Sequence, residues 1–139
     1  MASVLKVSDA ASMGLHAMVL LAAKPGNIIS TRRMAERLRV SPAHLSKVLQ
    51  RLSKAGLVRS TRGPGGGFHI ARGKEKAPLL KVYEAIEGQL RTDNCLLHTS
   101  ICGGRSCIFG DMLKRLNREV KNYLAKNRLA DLAGVFRRT

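Results

Sequence analysis

The chain has 139 residues, 45% hydrophobic and 24% charged, which suffices for one buried core and excludes both a disordered linker and a pair of full enzyme domains. Aromatic residues make up 4%, with no Trp, so Tyr83, Tyr123, Phe68, Phe109 and Phe136 are too few for a surface that works by stacking bases. A net charge of +16 selects phosphate polymers or anionic lipid as partners, and residues 30–76 carry much of it, with 12 basic side chains against Glu36 and Glu75 alone.

Ser8 or Asp9 can cap a first helix running to about Ala23, where Pro25-Gly26 stops it. The apolar stretch Met13 to Ala23 is too short to span a bilayer and is interrupted by Gly14 and His16. With Asp9 ahead of it and only Lys6 as a basic flank, it reads as a core helix rather than a signal segment, so a cytoplasmic protein with no membrane partner is expected. After a short extended Ile28-Ile29, Ser30 is a good N-cap for a helix to about Leu38, with Met34, Ala35 and Leu38 as its apolar stripe. The tight Arg39-Val40 connection leads to Ser41-Pro42, a strong helix start, and Leu45, Val48, Leu49 and Leu52 mark the buried face up to Gly56. Two such helices form a helix-turn-helix candidate.

Residues 57–61 alternate as a strand, Arg62-Gly63-Pro64-Gly65-Gly66-Gly67 forms a turn, and residues 68–71 return as a second strand. The predicted fold is therefore mainly α with a small β-hairpin wing, a winged helix-turn-helix. Pro78 opens a further helix with Leu79, Val82, Tyr83 and Ile86 on one face, closed by Gly88. Gln89 to Cys107 lacks periodicity, and a final helix is predicted over Ile108 to Lys126. Its stripe of Ile108, Met112, Leu116, Val120, Tyr123 and Leu124 has no partner in so small a domain, which points to a homodimer. The expected organisation is a winged-helix DNA-binding domain over 1–90, a cysteine-rich loop over 91–107, and a dimerisation helix with tail over 108–139.

A recognition helix enters the major groove by its first turns, which sets Ser41, Pro42, Ala43, His44, Ser46 and Lys47 at base edges or nearby phosphates, with Arg51 further along the backbone. Arg32 and Arg33 on the preceding helix, and Arg62, Gly65 and Gly66 in the wing, complete the expected DNA-binding set. A solvated helix face would present the same residue types; the local charge and the adjoining wing favour double-stranded DNA. The glycine-rich tip lacks the Gly-Lys-Ser/Thr ending of a nucleotide-binding loop and precedes a strand, so it reads as a flexible wing in which Arg62 can enter a minor groove.

Cys95, Cys102 and Cys107 are an odd, clustered trio in a basic chain, better suited to metal ligation or redox chemistry than to a disulfide scaffold. Three thiolates can hold an iron-sulfur cluster or zinc; His98 is one candidate fourth ligand, and Asp9, Asp93 and Asp111 are oxygen alternatives. Enzymatic thiol exchange is disfavoured, because there is no Cys-x-x-Cys pair.

The run from Ser41 to Leu52, followed by Ala55-Gly56-Leu57-Val58 and Arg62-Gly63-Pro64-Gly65-Gly66-Gly67-Phe68, resembles the Rrf2 family of winged-helix regulators typified by IscR and NsrR. The resemblance covers nearly the whole chain. It implies a homodimeric bacterial transcription regulator, a repressor by this reading, acting on a near-palindromic operator. It also implies an iron-sulfur cluster, 4Fe-4S in preference to 2Fe-2S, on Cys95, Cys102 and Cys107. The implied input is nitric oxide, redox state or iron-sulfur status; the alternative is a winged-helix protein with structural zinc or redox-active thiols. Three positions depart from the family pattern. The gaps between cysteines are six and four residues rather than five each, Gly110 stands where IscR has a ligating histidine, and Ser46 replaces an acidic residue of the recognition helix. Asp9 matches the place of the aspartate that NsrR-like members supply from the other subunit, which makes it the implied fourth ligand, with His98 the alternative.

Overall fold

A computed structural model describes residues 5–90, 95–97, 99–102 and 106–137 of the chain. Helix α1 (Asp9–Ala22) begins at Ser8, whose Oγ accepts the Ala11 N–H at 3.0 Å and satisfies one of the orphan donors of the first turn. Helix α2 (Thr31–Leu38) is capped in the same way by Ser30, and α3 (Pro42–Lys54) by Ser41 with Pro42 at the first helical position. Between them Arg39 takes the left-handed conformation, φ 57°, and its neighbour Val40 donates to the Ala35 carbonyl at 3.0 Å, which makes the connection tight.

Strands β1 (Val58–Thr61) and β2 (Gly67–Ile70) pair antiparallel, with Val58 opposite Ile70 and Thr61 opposite Gly67. Ile29 adds an isolated bridge to β2: its N–H and C=O each bond Phe68 at 2.9 Å, tying the wing to the segment just before α2. A 3-10 turn at Lys74–Lys76 leads to α4 (Leu79–Glu87), ended by Gly88 at φ 83°.

The core is a single cluster: Met18, Leu20 and Leu21 of α1, Met34 of α2, Leu45, Val48, Leu49 and Leu52 of α3, Val58 and Ile70 of the hairpin, and Leu79, Val82 and Ile86 of α4. No polar or charged residue is buried among the described residues. Gly14 lets α4 press against α1, since a Cβ there would sit 2.1 Å from Ile86 Cδ1 and 3.3 Å from Val48 Cγ1.

The last third differs from the sequence expectation in two ways. Helix α5 (Met112–Lys126) starts four residues later than Ile108, because Gly110 adopts φ 58° and the Gly110 N–H closes a turn on the Cys107 carbonyl at 2.9 Å. Beyond it the chain turns back onto the winged-helix core. Leu79 N–H bonds the Asn127 carbonyl at 2.9 Å, Leu129 N–H bonds the Ala77 carbonyl at 3.0 Å, and Leu129 in α6 (Leu129–Leu132) is fully buried. In α7 (Gly134–Arg137) the Phe136 carbonyl accepts from Arg37 Nη2 at 2.7 Å, and the Arg37 guanidinium also lies 5.8 Å from the centre of the Phe136 ring. Leu129, Leu132 and Phe136 carry the short-range apolar spacing that signals this return.

Candidate nucleic-acid interface and cysteine pocket

The first turn of α3 presents Ser41, Pro42, Ala43, His44 and Lys47 on the exposed surface, with Ser46 half-buried. Four buried leucine and valine side chains on the opposite face fix the helix to the core, so this exposed turn is held rigidly. On α2, Arg33 is exposed, and Arg32, also exposed, makes an ion pair with Glu36 at 3.3 Å. Because both partners of that pair are solvated, it adds little to stability and leaves Arg32 able to exchange Glu36 for a phosphate.

The wing is more constrained than a flexible tip. The Gly66 N–H bonds the Gly63 carbonyl at 2.9 Å, with Pro64 second and Gly65 third at φ 74°, the pattern of a type II turn. A Cβ on Gly66 would meet the Thr61 carbonyl at 2.3 Å, and one on Gly67 would meet the Ile29 carbonyl at 2.3 Å. Side chains are excluded at the wing base by close backbone approach, while Arg62 and Gly65 remain exposed at its end. The contact of Gly67 with Ile29 and Ser30 also sets the start of α2 beside the wing.

Arg51 does not simply point outward. Its Nη1 donates to the Ile86 carbonyl in the last turn of α4 at 3.3 Å. Nothing in the sequence signals this bond, since it joins residues 35 positions apart.

Cys95, Cys102 and Cys107 are exposed and not disulfide-bonded. All three line one apolar concavity of about 360 Å³ with Leu96, Leu97, Ile101, Ile108, Phe109 and Leu113. Ile108, expected in the helical stripe, belongs to this pocket instead. Cys107 Sγ accepts the Phe109 N–H at 3.5 Å, and Ser100 Oγ lies 3.6 Å from Cys102 Sγ. The donor set suits a soft metal centre: three sulfurs on one apolar wall, with N–H and O–H groups beside two of them. No three His, Cys, Asp or Glu side chains among the described residues converge as metal ligands, so the sulfurs share a pocket without forming a preassembled triad. Asp9 stands exposed at the start of α1 and is not part of the lining; Asp111 precedes α5, where its carboxylate pairs with Arg115 at 3.4 Å. His98 and Asp93 lie outside the described residues.

A second apolar groove of about 600 Å³ runs along α5, lined by Leu5, Val7, Leu15, Tyr83, Leu90, Leu116, Val120, Tyr123 and Leu124 with a few polar residues. Leu116 is 42% and Tyr123 56% exposed, and no residue of α5 is fully buried. No helix among the described residues is long and apolar enough to cross a membrane.

Compared with known families, residues 7–134 match the Rrf2 profile, described as an iron-dependent transcriptional regulator. The chain belongs to the Rrf2 family. Its members are transcription regulators and not enzymes. IscR of Cereibacter sphaeroides is 31% identical over 132 residues, 86% of this chain and 83% of its own length. Two relatives from Neisseria meningitidis are 31% identical over 91 residues, and the match spans 62% of their length, less than two thirds. Among solved structures, CymR (YrzC), the global cysteine regulator of B. subtilis, superposes with a TM-score of 0.76 at 27% identity, covering 94% of this chain and 98% of that one. IscR of T. potens gives a TM-score of 0.72 at 28% identity, covering 95% and 88%. The winged-helix architecture expected from the sequence is thus the architecture of the family.

Proposed function

We propose that the chain is a cytoplasmic, homodimeric repressor that binds near-palindromic duplex DNA and reads nitric oxide, redox state or iron-sulfur supply through an iron-sulfur cluster. The observation that carries this reading is the gathering of Cys95, Cys102 and Cys107 on one apolar concavity, in the stretch of chain that follows α4 and precedes α5. Those three sulfurs are the proposed ligands, with Asp9 of the partner copy as the fourth donor and a 4Fe-4S cluster in preference to 2Fe-2S. When bound, the group supplies an iron that reacts with small oxidants or nitric oxide, more readily where an oxygen donor replaces a thiolate.

The remaining work falls to residues of the chain. Ser41, His44 and Lys47 meet base edges and adjacent phosphates, while Arg32, Arg33 and Arg62 engage the backbone and minor groove. Leu96, Leu97, Ile101 and Phe109 line the pocket beside the sulfurs and make their surroundings less polar. The groove on α5 receives a second copy, which sets two recognition helices at a fixed spacing.

The test is anaerobic purification followed by visible absorption and iron and sulfide analysis. A brown protein with iron and acid-labile sulfide is the expected result, and Asp9→Ala is expected to shorten the lifetime of the coloured species without changing the circular dichroism spectrum. A colourless protein with stoichiometric zinc establishes the structural-zinc alternative, and one with neither metal nor sulfide after reconstitution removes the cluster.

A further inference from the structure

We infer that Arg51 is a positioning residue that couples the cysteine segment to the recognition helix by holding the end of α4 against α3. The inference rests on the reading above, in which α3 grips DNA and the cysteines carry the input.

Arg51 lies in the last turn of α3 and Ile86 in the last turn of α4. The Arg51 Nη1 to Ile86 carbonyl bond of 3.3 Å therefore places a cation at a helix C-terminus, where unsatisfied carbonyls concentrate partial negative charge. Ile86 is also a steric keystone. Its Cδ1 occupies the space left by Gly14, with Val48 of the buried α3 face alongside, so α1, α3 and α4 meet at this one residue.

The chain then leaves α4 for the cysteines, and its exit is tied down within four residues. Ser8 Oγ, the cap of α1, donates to Glu87 while accepting the Ala11 N–H. Leu90 N–H folds back to Glu84 Oε2 at 3.1 Å. The exit is thus fastened to the start of α1 next to Asp9, to its own helix, and through Arg51 to the recognition helix. A strain that reaches Leu90 from the cysteine side is carried by Gly88 and Glu87 to the Ile86 carbonyl, and through the guanidinium to the last turn of α3. Packing of Ile86 against Val48 keeps that strain from being absorbed in empty space.

Coupling of this kind is reciprocal, so DNA on α3 must alter the cysteines as much as the cysteines alter α3. The experiment uses metal-free full-length protein and measures alkylation of the three thiols by iodoacetamide, with and without a saturating mixed-sequence duplex at low salt. DNA is expected to change the alkylation rate about fivefold in the natural chain. In Arg51→Met, compared at duplex concentrations that saturate each chain, the change falls to near unity, and Arg51→Lys, which keeps a charged donor, restores part of it.

An Arg51→Met chain showing the full natural effect overturns the inference. So does a natural chain that binds DNA with no change in alkylation. A loss of about one unit in the dependence of log affinity on log salt in Arg51→Met makes the residue a phosphate contact instead and equally overturns the assignment. Iron and sulfide content decide the cargo of the cysteines separately, so a colourless protein that passes this test loses the cluster and keeps the link. A chain with no affinity for the duplex defeats the DNA-binding reading and the link together.

Discussion

Tyr83 sits half-buried on α4 in the groove along α5. Burial first, and the negative charge of Glu87 second, push its phenol above the ordinary value of 10.0. The folded chain therefore keeps the phenolic proton at pH values where the unfolded chain has released it. Its contribution to stability is fully present below about pH 10 and is lost as pH rises above that value. Tyr83→Phe has no proton to lose. The difference in urea midpoint between the two chains is expected to be constant below about pH 9 and to move in favour of Tyr83→Phe above about pH 10; a constant difference across the range would show that the phenol is not shifted.

Among the elements, the wing gives the sharpest prediction. Gly67 has backbone on the side where a Cβ would stand, 2.3 Å from the Ile29 carbonyl and 2.7 Å from Ser30 N, so Gly67→Ala forces Ile29 and the hairpin apart. We expect a loss of about 1–3 kcal/mol of stability in urea unfolding, together with weaker DNA binding as the wing loses its fixed relation to α2. Gly65→Ala faces open space at φ 74°; its expected cost is only the strain of a left-handed alanine, about 1 kcal/mol, with smaller effect on binding.

The contrast shows where the sequence was legible. Serine caps, helix stripes and the glycine-rich turn are local signals, and α1 to α4 and the hairpin follow from them within one or two residues. The Ile29 bridge and the Arg51 to Ile86 bond join residues far apart in the chain, where periodicity is silent, and the apolar spacing at Leu129 marks a buried face without saying what covers it. The cysteine spacing singled out three residues that share a pocket, but its apolar lining needed the turn at Gly110 to bring in Ile108 and Phe109.

For the whole molecule, the apolar groove and the charge act in opposite directions. A chain of net +16 repels its own copy, so the proposed association would have to come from apolar area buried on α5. Leu116→Asp combined with Tyr123→Asp places two negative charges on that stripe while replacing no buried residue. The expected result is a monomer in sedimentation velocity with an unchanged circular dichroism spectrum, and a preference for two half-sites over one that is lost. A dimer surviving both substitutions would place the subunit contact elsewhere.

Helix α5 is pinned at its far end, where Asn127 and Leu129 bracket Ala77 and Leu79, packs along α4, and follows the cysteine segment at its near end. It is a rod about 22 Å long whose far end lies beside the start of α4. A displacement of about 2 Å at Met112 swings such a rod by about 5°. In the proposed reading, chemistry confined to three sulfurs would thereby become an angle, and an angle is what a double helix with fixed pitch can measure.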